Sequence, residues 1–194
     1  GAIQRRLVDE FPWAGDVIAI IFGELSGQAA LGVRVLGMSP TLLVGLPGSG
    51  KSRLARRVAD ELGMPRLDLP LGGTSDTKVL GGTSRGWASG KPSDLATLMA
   101  TRRSASAVVL LDELDKAIDY QREGSGLQSY LLALLEPETA SRHTDVFLKT
   151  TCDYSGVLWL ATANRLTPIA APLLSRMRVL KLDQPEPEHF PTIA

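Results

Sequence analysis

Apolar residues in this chain fall into two arrangements, and the way they alternate predicts the architecture. Short apolar-rich stretches read as strands, at residues 41–44, 66–69, 107–111, 157–162 and 179–182; the unbroken run at 107–111 is that of a strand buried on both faces, and 157–162 reads as buried too. Helical spacing fills the intervals. It covers residues 3–11, which Pro12 interrupts, and 15–36, broken around Ser26-Gly27. It recurs at 52–62, stopped by Gly63, at 127–135, stopped near Pro137, and at 168–174. Ser93 reads as the cap of a further helix running to about Arg103. Residues 70–92 are rich in Gly, Ser and Thr and read mostly as loop, 117–126 are polar, and 143–154 alternate weakly, as a hairpin does. Strands alternating with helices predict a parallel sheet covered on both faces, an α/β three-layer fold. Residues 1–36 form an N-terminal helical segment, 37–183 the main α/β unit, and the proline-spaced 184–194 a connector.

The first interval between strand and helix carries chemistry. Gly45-Leu46-Pro47-Gly48-Ser49-Gly50-Lys51-Ser52 satisfies the spacing G-x-x-x-x-G-K-[ST]. Glycines let the backbone turn tightly, so that successive N–H groups face an anion. Lys51 reaches the outer phosphates as a mobile charge, and the Ser52 hydroxyl suits Mg²⁺. The loop stands between a strand and a helix, so the helix N-terminus adds free N–H groups and a positive dipole end. The expected phosphate-binding set is Gly45 to Ser52, with Arg53 next in the helix.

A second site follows the run at 107–111. Asp112 and Glu113 stand directly at its end. An acid there holds the Mg²⁺ that bridges the outer phosphates, and a second acid beside it orients the attacking water. Asp112 is therefore assigned to metal, together with Ser52, and Glu113 to water.

Composition narrows the setting. The 194 residues are 44% hydrophobic and 22% charged, with zero formal net charge. That balance argues against a chain whose main partner is nucleic acid, which needs a basic face. A single cysteine, Cys152, forms no internal disulfide, so a reducing, cytoplasmic compartment is expected. No apolar stretch approaches the length of a membrane span. Residues 1–10 include Arg5, Arg6, Asp9 and Glu10, so no secretory leader is expected there.

With these motifs in place, the chain resembles the AAA+ ATPase module of Lon proteases, through the phosphate loop and from about Leu67 to Leu182. The resemblance is carried by Leu69-Pro70-Leu71-Gly72-Gly73 ahead of Asp76, and by Leu110-Leu111-Asp112-Glu113-Leu114-Asp115-Lys116. Leu134-Leu135-Glu136-Pro137-Glu138, Ala161-Thr162-Ala163-Asn164 and Ala171-Pro172-Leu173-Leu174-Ser175-Arg176-Met177 follow in the family's order.

The resemblance implies a P-loop NTPase fold with a five-stranded parallel sheet in the order 5-1-4-3-2. It also implies Mg²⁺-dependent hydrolysis of ATP to ADP and phosphate, coupled to unfolding and translocation of protein substrates by a hexameric ring. Asn164 matches the residue that senses the γ-phosphate. Arg176 matches the arginine finger that acts on a neighbour's nucleotide, although Arg178 stands where the family more often has an acid, and either arginine can be the one that reaches across. Trp87 and Ala88 fall where the family's first pore loop grips an unfolded polypeptide. The segment between Gly27 and Gly45, which in the family helps enclose the adenine, is shorter here. The family's small helical lid and Ser-Lys protease domain lie beyond the 184–194 connector, and no peptidase is expected within these residues. Two other readings stay open: an unfoldase without a protease, and a nucleotide-binding switch that hydrolyses weakly.

Overall fold

The computed structural model describes residues 1–31, 37–72, 78–117 and 127–189. Helices α1 (Ala2–Glu10) and α2 (Gly15–Ala30) precede strand β1 (Thr41–Val44), and α3 (Lys51–Leu62) leads to β2 (Arg66–Pro70). The short α4 (Lys78–Gly81) and α5 (Asp94–Arg102) come before β3 (Ala107–Asp112). Helices α6 (Leu127–Leu135) and α7 (Pro137–Ala140) enter a hairpin of β4 (His143–Asp145) and β5 (Thr150–Cys152). Strand β6 (Val157–Ala163), helix α8 (Ala171–Leu174) and strand β7 (Arg178–Lys181) follow, and short 3-10 turns stand at Pro12–Ala14, Leu114–Lys116 and Pro187–His189.

Five strands form one sheet in the order β2-β3-β6-β1-β7, with every pairing parallel. Counting only these strands along the chain and reading from the other edge, the order is the expected 5-1-4-3-2. Alternating side chains divide the core into the two outer layers. Leu43, Val108, Leu110, Leu158 and Leu160 pack with α1, α2 and α3. Leu42, Val109, Leu111, Trp159 and Ala161 face the opposite way, with α5, α6 and α8. Strands β3 and β6 are buried along nearly their whole length, which is why they read as unbroken apolar runs.

Most local expectations hold within a residue or two. Gly63 ends α3 in the left-handed region at φ 64°, the conformation glycine adopts most readily. The Ser93 hydroxyl accepts from the Ala96 N–H at 3.1 Å and caps α5. Three expectations need correction. Helix α2 is continuous through Ser26-Gly27, because its Val17, Ile18, Ile21, Phe22 and Leu25 face is buried. That burial outweighs the roughly 1 kcal/mol penalty of a mid-helix glycine. The expected extension of that helix into 32–36 lies outside the described residues. Residues 70–92 contain the α4 turn and a Thr83–Lys91 bridge, while Gly73 and Asp76 lie outside the described residues. The helix expected from Pro168 begins only at Ala171.

The hairpin is fastened to the base of α5. Buried Asp145 accepts from the N–H groups of Phe147 and Leu148 at 2.9 Å each and from the Ser93 N–H at 2.8 Å. Burial alone would raise its pKa, but these donors outweigh it and hold the carboxyl below its ordinary value. Beside it, His143 meets the Tyr130 hydroxyl at 2.8 Å and stacks on Tyr154 at 5.2 Å. Burial pushes its pKa below the ordinary 6.5, against the opposing pull of Asp145. The unfolded chain then takes up this proton first, so stability falls as pH drops below about 6.5. We expect the melting temperature to fall by a few degrees from about pH 7.5 to 5.5 in thermal scans. His143→Gln should flatten that profile, and an unchanged slope in the variant would remove His143 as its source.

Candidate functional site

Ligand sites in open parallel sheets form at the carboxyl ends of the strands. Here β1, between β6 and β7, runs into the phosphate loop, and the neighbouring β6 and then β3 end on the same side of the sheet. The loop takes its shape from its glycines. Gly48 and Gly50 sit at φ 82° and 87°, and a Cβ at Gly45 would collide with the Leu182 carbonyl. Lys51, only 7% exposed, opens α3. Its ammonium donates to the carbonyls of Gly45 and Leu46, both at 2.9 Å. Burial lowers its pKa, and the charges of Asp115, Asp112 and Glu113 oppose that shift.

At the start of α3 the two expected metal ligands meet. Ser52 Oγ donates to Asp112 Oδ1 at 2.5 Å, although 60 residues separate them. Asp112 Oδ2 accepts from Arg56 at 3.1 Å, and Thr162 Oγ1 donates to Oδ1 at 2.6 Å. Among the described residues, no cluster of three or more His, Cys, Asp or Glu side chains could hold a metal alone. A hydroxyl and one carboxylate converging on a point beside a phosphate loop suit Mg²⁺, which takes few protein oxygens and fills its shell with phosphate and water.

Glu113 stands in the left-handed region at φ 61°. Its carboxylate pairs with Lys116 at 2.6 Å, and the contact raises the pKa of Lys116. A side chain at Gly72 would collide with that carboxylate. An open cleft of about 340 Å³ joins Gly48, Gly50, Lys51, Ser52, Glu113 and Asn164, with Pro47 and Arg53 at its rim. Arg53 also bonds Glu10 at 3.1 Å and lies over the Phe11 ring. Leu46 is exposed, and Ser49 is buried under the loop.

The structure thus brings together the phosphate-loop residues, Asp112, Glu113 and Asn164. Trp87, Ala88 and Arg176 do not line this cleft. Trp87 is 71% exposed on the 84–90 loop, with Ala88 exposed beside it. The loop is braced by Arg85, which donates to the Phe147 carbonyl at 2.6 Å and lies over its ring. Arg176 is exposed at the end of α8, where it contacts Glu136 at 3.0 Å. Arg178 instead pairs with Glu24 at 2.8 Å and donates to Ser39 Oγ at 3.1 Å.

Sequence reasoning assigned no role to Trp13, Arg56 or Thr162. Trp13 Nε1 donates to the Ser49 carbonyl at 3.0 Å, and its ring lies 5.6 Å from that of His189. Nothing local marks residue 13 as a prop for residue 49. For Thr162 a signal existed, namely a hydroxyl inside an otherwise apolar strand.

A family model described as "ATPase family associated with various cellular activities (AAA)" matches residues 41–183. The Lon protease of Halothermothrix orenii is 39% identical over 146 residues, which cover 74% of this chain and 18% of that protein. Lon protease 1 of Bacillus subtilis is 36% identical over 141 residues, covering 72% and 18%. The chain therefore spans less than a fifth of the length of these relatives. Among solved structures, Saccharomyces cerevisiae Hsp104 with casein, in an extended conformation, superposes with a TM-score of 0.75 at 18% identity. That match covers 99% of this chain and 37% of the other. The Hsp104–ADP complex gives the same TM-score at 19% identity and covers 30% of that chain. At such identities the likeness speaks for the fold.

Proposed function

We propose, from the premise that the chain belongs to the AAA family of ATPases, that it hydrolyses Mg²⁺-bound ATP to drive unfolding and translocation of protein substrates, as the ATPase module of a Lon-like protein. The observation that carries the reading is the meeting of Ser52 and Asp112 at 2.5 Å beside buried Lys51. Similarity to Lon proteases supports the coupling to protein substrates.

In this reading the loop amides and Lys51 bind the β- and γ-phosphates. Ser52 and Asp112 would hold Mg²⁺, which when bound would supply positive charge to offset that of the outer phosphates. Glu113 orients the attacking water and accepts its proton as the water oxygen bonds to the γ-phosphorus, while the bond from that phosphorus to the β,γ-bridging oxygen breaks and ADP leaves. Asn164, at the cleft wall, donates its amide to the γ-phosphate. Arg176 reaches the nucleotide of an adjacent copy, which requires a closed ring of head-to-tail contacts. Exposed Trp87 offers a large apolar face that grips side chains without regard to sequence.

The test is ATP-driven unfolding of a stably folded substrate by the intact protein, with ATP consumption followed in parallel. Trp87→Ala should raise the ATP spent per substrate unfolded at least about tenfold, as expected from losing one aromatic anchor. An unchanged ratio would remove Trp87 from the grip. Saturable ATP binding without Mg²⁺-dependent turnover would instead favour a nucleotide-binding switch.

A further inference from the structure

Asp112 and Glu113 are neighbours in sequence but have different duties, and neither is oriented by its own strand alone. Strand β6 lies against β3 with Leu111 opposite Ala161, so the next residue on β6, Thr162, comes level with Asp112. Thr162 is 3% exposed and is the hydroxyl of an otherwise apolar strand. A hydroxyl has one proton to give, and an ionised carboxylate can only accept. Thr162 Oγ1 therefore commits its proton to Asp112 Oδ1 at 2.6 Å. Its lone pair accepts the Glu113 N–H at 3.0 Å. That N–H belongs to the residue held at φ 61°, a conformation that persists only where surroundings fix it.

We propose that Thr162 is the positioning residue for both acids of the site: one hydroxyl holds the metal-binding carboxylate of Asp112 and the backbone that aims Glu113 in a single fixed relation. The proposal rests on the ATPase reading above. Ser52 cannot do this work, because it is the other metal ligand and its hydroxyl must turn toward the cation. Arg56 grips only the remaining oxygen, Oδ2, from the exposed side. Among the described residues, Thr162 alone has a side chain that bonds to both acids, and it does so from a buried strand. Partners that orient metal ligands in this way typically change metal affinity or activity about 10–100-fold when removed.

Thr162→Val keeps the branched shape suited to a strand but removes the donor and the acceptor together. In the intact protein, its kcat should fall about 10–100-fold with little change in KM. A second readout needs no turnover: binding of a fluorescent ATP analogue, followed while Mg²⁺ is titrated. The variant should bind the analogue without Mg²⁺ as the parent does. It should need about 10–100-fold more Mg²⁺ to reach the tighter state. Thr162→Ser restores the hydroxyl and should return both values to near those of the parent. Should the valine variant fail to fold by circular dichroism, Thr162→Ala is measured in the same way. Parent-like kcat and Mg²⁺ midpoint in the hydroxyl-free variant would overturn the proposal. So would Thr162→Ser losing as much as Thr162→Val, which would assign the effect to packing. A parent protein that neither hydrolyses ATP nor gains affinity from Mg²⁺ would overturn the ATPase reading itself, and this proposal with it.

Discussion

Glu113→Gln is expected to lower ATP turnover about 10²–10⁴-fold while ATP stays bound. The amide has the shape of the carboxylate but cannot take a proton from water. Binding should survive because the residues proposed to hold the phosphates, Lys51 and the loop around Gly48 and Gly50, are left unchanged. Folding should survive too. The ion pair lost with the charge, to Lys116, is largely exposed, and such pairs contribute at most about 1 kcal/mol. The left-handed backbone at residue 113 is fixed by Thr162 through the main-chain N–H, which glutamine retains. Phosphate release and fluorescent-nucleotide binding, measured together, check the expectation. Turnover at the parent rate would show that another group activates the water.

Arg176→Ala is expected to reduce turnover of the assembled ring about 10³–10⁵-fold, the usual weight of an arginine supplied across an interface. Sequence leaves Arg176 and Arg178 as rivals, and their surroundings separate them. Arg178 is occupied within its own chain by Glu24 and Ser39, joining β7 to α2 and the approach to β1. Arg176 rests in an exposed contact with Glu136 that a stronger anion can displace. The two substitutions should therefore fail differently. Arg178→Ala should lower the melting temperature by a few degrees. Arg176→Ala should melt like the parent and bind ATP, yet hydrolyse it slowly. Mixing Arg176→Ala subunits with Glu113→Gln subunits supplies the control, since a finger acting in trans restores some turnover at mixed interfaces. Full activity in Arg176→Ala alone, or no recovery in the mixture when both variants are impaired alone, would eliminate the assignment.

How much of this was legible follows from where each interaction lies along the chain. Residues 45–52 encode their own loop, because glycine spacing and the following helix are local properties. Strands β3 and β6 announced themselves by being buried on both faces. The sheet order came with the family resemblance, since no local pattern says which strand lies beside which. Helix α2 was misjudged because a serine–glycine pair weakens a helix locally, and only the packed core shows that burial prevails. Trp13 and Thr162 act on residues 36 and 50 positions away. Nothing near Trp13 marks it, and the hydroxyl inside the apolar run at 157–163 flags Thr162 without naming the acids it bonds, because those contacts exist only once the chain has folded.

The outermost strands β2 and β7 constrain how copies of this molecule can associate. Bare sheet margins are templates for strand addition and fibre growth, and proteins blunt them with charge, proline and brevity. Strand β2 carries Arg66 and Asp68 and finishes on Pro70, which has no N–H to offer. Strand β7 is four residues long, with Arg178 and Lys181 at its two ends. Merging sheets between copies is thereby discouraged on both flanks. Association of copies is thereby steered toward side chains and loops, contacts that can slide and re-form without tearing a shared backbone ladder.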